Sequence, residues 1–177
     1  MEASVLRFVN NVATTFDIKE PIIDFGGRII QPEYFGAVGA LFPGKDFKTF
    51  DLQGGDIIGD IYDTNLADES IGTALCLEVL EHLAEPQRAI DELRRVLVYG
   101  GLLVLSTPIC WHIHPYPKDY WRFLPSGIEF LLRDWFVDLL TTRDSEGDTS
   151  GHVFATARKI FKKPLRNKGD IDIWLNL

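Results

Sequence analysis

Apolar residues recur at helical spacing near the start of the chain, at Val5, Phe8, Val9 and Val12. This predicts an amphipathic helix over Ala3 to Thr15 that lies on a sheet. The pattern then changes. Pro21-Ile22-Ile23-Asp24-Phe25 is a short apolar run ended by Gly26-Gly27, the signature of a buried strand followed by a turn. Tyr34 to Phe42 has helical character and stops at Pro43-Gly44. Phe47 to Leu52 and, more weakly, Asp56 to Ile61 read as further strands, with Gly54-Gly55 between them. Ser70 to Leu77 is the next strand, Val79 to Leu83 a short helical turn, and Pro86 to Leu97 a helix with Ile90, Leu93, Val96 and Leu97 on one face. Tyr99-Gly100-Gly101 is expected to break that helix before the apolar run Leu102-Leu103-Val104-Leu105. Unbroken apolarity suits a strand covered on both faces, as in parallel sheets. Pro125 to Trp135 reads as a helix with proline at its first turn. Phe136 to Thr142 and His152 to Arg158 read as two closing strands around a polar turn, an antiparallel hairpin. Strands alternating with helices predict an α/β domain with a doubly wound, mainly parallel sheet ending in that hairpin.

Composition narrows the class of protein. The 177 residues are 46% hydrophobic and 25% charged, ordinary values for one folded domain. The longest apolar run, Gly101 to Ser106, is far too short to span a bilayer. Met1 to Arg7 lacks the basic stretch and long apolar segment of a signal peptide, and two cysteines, Cys76 and Cys110, make no disulfide framework. A reducing, cytoplasmic setting is the expectation. The net charge of −8 argues against broad nucleic-acid contact, and the basic stretch from Arg158 to Lys168 reads as a solvated tail.

Candidate chemistry gathers where strands end. In open α/β sheets ligands sit beyond the carboxyl ends of the strands, where the chain order reverses. Asp24, Gly26 and Gly27 end the first expected strand and Asp51 the second. Glycines there let backbone N–H groups approach a ligand. A carboxylate at the end of the second strand has the geometry to accept hydrogen bonds from paired hydroxyls. Asp24 and Asp51 also suit plain turns, because short polar side chains favour them.

Four segments resemble one family. Glu78-Val79-Leu80-Glu81-His82-Leu83 is followed by Ala89 to Leu97, then by Gly100-Gly101-Leu102-Leu103-Val104 and Thr107-Pro108. Together they are similar to class I S-adenosylmethionine (SAM) dependent methyltransferases of the methyltransferase type 11 kind. His114 to Phe123, with Asp119-Tyr120-Trp121-Arg122-Phe123, resembles a stretch of some members. The resemblance covers roughly residues 21–158 and implies a Rossmann-like, methyltransferase-like core there; with the N-terminal helix over 1–16 this makes one expected domain over residues 1–160, followed by a tail over 161–177. It implies SAM as cofactor and transfer of its methyl group to a small-molecule acceptor. By the same resemblance Asp24, Gly26 and Gly27 face the methionine part, Asp51 and Leu52 the ribose, Asp60 and Ile61 the adenine, and Cys76 to Glu78 the methionine side. Asp56 and Asp63 compete with Asp60 for its role. No catalytic residue is singled out; His82, His114, Tyr120 and Arg122, on the acceptor side, are the candidates, with capping of the short helix by Glu81-His82 the favoured reading of His82.

One departure bears on activity. The family's loop is acid-x-Gly-x-Gly-x-Gly, whereas this chain has Asp24-Phe25-Gly26-Gly27-Arg28-Ile29-Ile30, so Arg28 stands where the second glycine belongs. Arg28 suits pairing with a carboxylate. A working altered loop and a non-catalytic, methyltransferase-shaped binding module are both compatible with this. A nicotinamide-dependent oxidoreductase is not, because Gly-x-Gly-x-x-Gly is missing after the first strand. No metal is expected: His112 and His114 lie two apart, with no cysteine or histidine at ligand spacing nearby.

Overall fold

The computed structural model describes residues 3–27, 37–114, 118–143 and 149–161. Seven strands form one sheet: β1 (Ile22–Phe25), β2 (Phe47–Asp51), β3 (Ile57–Ile58), β4 (Ile71–Leu77), β5 (Leu97–Pro108), β6 (Phe136–Arg143) and β7 (Thr149–Arg158). Their spatial order is β3-β2-β1-β4-β5-β7-β6. The first five in that order run parallel, and β7 pairs antiparallel with both β5 and β6. The expected mainly parallel sheet with a closing hairpin is therefore present. From β1 the chain steps outward to β2 and β3, then returns to β4 on the other side of β1. That reversal between β1 and β4 is the switch point at which such sheets bind ligands.

Alternation along the strands explains why their sequences are apolar throughout. On one face, Ile22, Leu75, Leu77, Leu102, Val104 and Phe154 pack with Val5, Phe8, Val9 and Val12 of helix α1 (Ala3–Thr15). On the other, Ile23, Phe25, Ala74, Cys76, Leu103 and Leu105 pack with Ile90, Leu93 and Val96 of α2 (Pro86–Val96) and Ile128 and Leu131 of α3 (Pro125–Leu131). Successive strand residues serve opposite faces, and both faces are covered.

Several boundaries differ from the sequence expectation. Helix α2 stops at Val96 because Leu97 already has extended backbone, φ −69° and ψ 140°. Tyr99-Gly100-Gly101 lies inside β5, where the pairing register with β4 shifts between Ile71 and Thr73. Gly100 supplies the φ of +70° that this irregularity needs. Helix α3 ends at Leu131, four residues early, and Leu132 to Trp135 turn the chain into β6 while Trp135 stays buried. The third strand shrinks to two residues. Of the expected helix at 34–42, residues 37–39 are helical, and 34–36 lie outside the described residues, as do Arg28 and residues 162–177.

Candidate functional site

The carboxyl ends of β1, β2 and β4 bring the expected cofactor residues to one edge. Asp24 is 1% exposed, and its Oδ2 has no hydrogen-bond partner among the described residues. Burial raises its carboxyl to about 7. The two glycines that follow fit against it closely. A Cβ at Gly27 would lie 2.6 Å from Asp24 Oδ2, and one at Gly26 would lie 2.4 Å from Val79 Cγ2. Gly26 also has φ +83°, a conformation that disfavours side chains, and its N–H donates to the Phe50 carbonyl at 2.8 Å. The pair of glycines thus ties β1 to β2 and to the turn after β4.

Asp51 ends β2 half-buried, and one carboxylate oxygen accepts the Gln53 N–H at 2.8 Å. Leu52 beside it is 59% exposed. Asp60 accepts the Tyr62 N–H at 2.8 Å and pairs through its backbone with Asp63, while Ile61 packs on the core. Asp56, the rival for Asp60's role, is engaged elsewhere. Its Oδ2 accepts from both the backbone N–H and the hydroxyl of Thr49, at 2.8 and 2.9 Å, and these bonds hold its carboxyl below the usual range. Asp56 therefore fastens the β2–β3 connection.

At the end of β4, Cys76 and Glu78 separate in character. The Cys76 side chain is wholly buried in the core, which pushes its thiol up, so it borders the edge through its backbone alone. Glu78 has φ +57°. Its Oε1 accepts from the Ser106 hydroxyl at 2.7 Å, and its Oε2 lies 3.1 Å from His152 Nε2. Residue spacing carried no sign of His152, which reaches Glu78 from β7, 74 residues further along the chain.

A second group of side chains surrounds the 3₁₀ turn Leu80–His82. The loop before α3 is laced onto this turn. The Tyr120 N–H donates to the Glu81 carbonyl at 2.7 Å, and the Trp121 indole donates to the Leu83 carbonyl at 2.7 Å. Asp119 then organises the loop. Its carboxylate accepts Arg122 Nη1 and Nη2 at 2.5 and 2.7 Å and the His114 N–H at 3.0 Å. The Arg122 guanidinium holds the Asp119 carboxyl far below its usual range. Arg122 also donates to the Trp111, His112 and Trp121 carbonyls. Its fork is thus occupied by protein acceptors, which makes it a brace for the loop.

Glu81 is the unusual residue here. Its side chain is 0% exposed, and both carboxylate oxygens lack a hydrogen-bond partner among the described residues. Burial, followed by the charge of Glu78, pushes its carboxyl up. His82 Nε2 lies 3.7 Å from Glu81 Oε1, and His82 Nδ1 lies 2.7 Å from the Lys118 carbonyl. Burial holds His82 below its ordinary value, which favours the neutral ring. His114 meets the His82 ring edge-on at 4.9 Å between centroids. Residue spacing reports only on neighbours along the chain. The fold brings His82 to His114 from 32 residues away. Tyr120 is largely exposed at the same rim, with Trp111 and Trp121.

Comparison with known proteins finds methyltransferases of this fold. Residues 45–105 match the family model of the methyltransferase domain. A SAM-dependent methyltransferase from Aquifex aeolicus is 15% identical, with a TM-score of 0.64, covering 90% of this chain and 94% of its own. A chain of the Haloferax volcanii complex between the Trm112 methyltransferase activator and a methyltransferase is 15% identical at a TM-score of 0.68, covering 90% and 92%. The Burkholderia thailandensis 1,6-didemethyltoxoflavin-N1-methyltransferase, bound to 1,6-didemethyltoxoflavin and S-adenosylhomocysteine, is 13% identical at 0.65, covering 88% and 78%. An uncharacterized 37.1 kDa protein in transposon Tn4556 of Streptomyces fradiae is 47% identical over 51 residues, 29% of this chain and 15% of that protein. Residues 45–105 are thus similar to the methyltransferase domain of the type 11 kind, and the chain shares the fold of SAM-dependent methyltransferases.

Proposed function

We propose that this methyltransferase-like chain binds SAM at the β1–β2–β4 edge and transfers its methyl group to a small-molecule acceptor. The observation that carries the reading is Asp24: a buried carboxylate with an unpartnered oxygen, pressed by two glycines, at the switch point of the sheet. A buried polar atom without a partner costs free energy, and a ligand's ammonium or hydroxyl supplies one. The residues present therefore fit the cofactor. Asp24, Gly26 and Gly27 would hold its amino-acid part, Asp51 with Leu52 its ribose, and Asp60 with Ile61 its adenine. The backbone from Cys76 to Glu78 would close the methionine side.

The cofactor supplies an electron-poor methyl group, so the protein's own task is placement and exclusion of water. The Glu81–Leu83 turn and the braced loop from His114 to Arg122 would form the acceptor side. His82, His114 and Tyr120 border that opening, and Arg122 positions the loop through Asp119. A small acceptor agrees with the net charge of −8 and with the ligand of the toxoflavin enzyme. No helix of the described residues is long and apolar enough to cross a membrane. Residues 1–160 would act as one domain, in a cytoplasmic setting.

Calorimetric titration with S-adenosylhomocysteine tests the reading. Binding weakened about tenfold or more by Asp51→Asn, with the fold retained by circular dichroism, is the expected result. Absence of binding at millimolar ligand would overturn the proposal and leave a non-catalytic module.

A further inference from the structure

We propose that Glu81, His82 and His114 form a binding site for a divalent first-row transition-metal cation, at the rim of the acceptor opening. Each of the three offers a ligand atom, and these atoms all lie within 4.8 Å of one another. Donors bound about 2.1 Å from one metal ion stand about 3.0 to 3.4 Å apart in octahedral or tetrahedral geometry. Glu81 Oε1 and His82 Nε2, at 3.7 Å, are already close to that separation. The remaining separations, up to 4.8 Å, would close by side-chain rotation on binding the cation.

The surroundings prepare both rings as ligands. His82 Nδ1 faces the Lys118 carbonyl at 2.7 Å, so that nitrogen carries the proton and Nε2 presents its lone pair. His114 Nδ1 faces the Asp119 carboxylate at 3.3 Å and the His112 carbonyl at 3.1 Å, which likewise frees Nε2. Metal-binding histidines are held in this way, by an acceptor on the far nitrogen that fixes tautomer and ring direction. Arg122 fixes that Asp119 acceptor in turn.

Edge-to-face packing alone would account for the two rings. It leaves Glu81 unexplained, because both its oxygens are buried without a partner. Burying a carboxylate without hydrogen bonds or a countercharge is costly, and a cation removes that cost. His82 and His114 are 16% and 31% exposed, so coordination positions remain for water or an acceptor oxygen. Two imidazoles and one carboxylate favour cations from manganese to zinc over magnesium and calcium, which prefer all-oxygen shells.

The inference does not rest on methyl transfer, and its test reads the cation directly. Chelator-stripped protein is titrated with Zn2+ by calorimetry and with Co2+ by visible absorption, where nitrogen ligation changes the d–d bands. One equivalent should bind. Glu81→Gln, His82→Ala and His114→Ala should each weaken binding about tenfold or more, while His112→Ala and Cys110→Ser leave it unchanged. Circular dichroism confirms that each variant is folded. No binding at submillimolar Zn2+, binding indifferent to the three substitutions, or Mg2+ binding as tight as Zn2+ would each overturn the proposal. S-adenosylhomocysteine titration of the same samples is read separately, so a failure here leaves the cofactor reading standing.

Discussion

At the scale of single residues, the site contains carboxylates that a purely structural protein would have little reason to bury. Asp24 illustrates the consequence for stability. Its ordinary value of 3.8 rises to about 7 in the folded chain, so the folded state holds a proton that the unfolded chain releases. Stability from this group is therefore present below about pH 4 and is lost as pH rises toward 7. Asp24→Asn removes the titration. Relative to the parent, the variant should gain stability between pH 4 and pH 7, by up to a few kcal/mol, and the gap should be flat above that range. Urea unfolding at a series of pH values measures it; a gap independent of pH across that window would refute the assignment. The same variant should bind S-adenosylhomocysteine more weakly, which separates a functional carboxylate from a merely tolerated one. Glu81 belongs with Asp24 in kind. In sequence it looked like half of a helix cap, because nothing local reveals that a side chain will be buried without a partner.

Among the elements, the connection from β3 to β4 shows how helix α2 shapes the edge where adenine is proposed to lie. Glu92 on α2 accepts the Thr64 N–H and hydroxyl at 2.9 and 2.7 Å, and Arg95 one turn later donates to Glu92, Asp68 and the Leu66 carbonyl. The Arg95 contact, with Thr64, lowers the Glu92 carboxyl to about 2 from an ordinary 4.5. This stabilisation is fully present above pH 4.5 and lost as pH falls through about 2. Glu92→Gln should cost about 1–2 kcal/mol at pH 7, and parent and variant should converge toward pH 2. Equal costs at pH 7 and pH 2 would show that the charge does not matter. Elements of this kind were legible in the sequence to different degrees. The order of strands and helices followed from apolar periodicity, since each run had to fill one or both faces of the sheet. The boundaries did not: glycines at 100 and 101 signal a break, and only pairing with β4 shows that they form an irregularity within β5. The approaches of His152 to Glu78 and of His114 to His82 were hidden for a similar reason, because side chains far apart in sequence meet only through the sheet and the braced loop.

For the whole molecule, topology divides a rigid centre from workable edges, and the proposed ligands lie along the boundary. Strand β4 is buried at every position and sits between β1 and β5, while β3 is a two-residue edge strand with Ile58 largely exposed. Amides at Leu75, Leu103 and Leu105 should therefore exchange with solvent only on global unfolding, whereas Ile57 and Ile58 should exchange through local opening. A ligand that bridges β1, β2 and the turn after β4 adds stability mainly where the unliganded structure is weakest. S-adenosylhomocysteine should thus slow exchange across residues 51–61 and around Gly26 by tenfold or more, with little added protection inside β4. Zn2+ should instead protect residues 78–83 and the amide of His114, which already donates to Asp119. Hydrogen-exchange mass spectrometry with each ligand alone and with both distinguishes the two footprints. If S-adenosylhomocysteine protected β6 and β7 but left 51–61 unchanged, the cofactor would lie elsewhere on the sheet. If both ligands gave one common footprint, the cation would have no place of its own at the Glu81 turn.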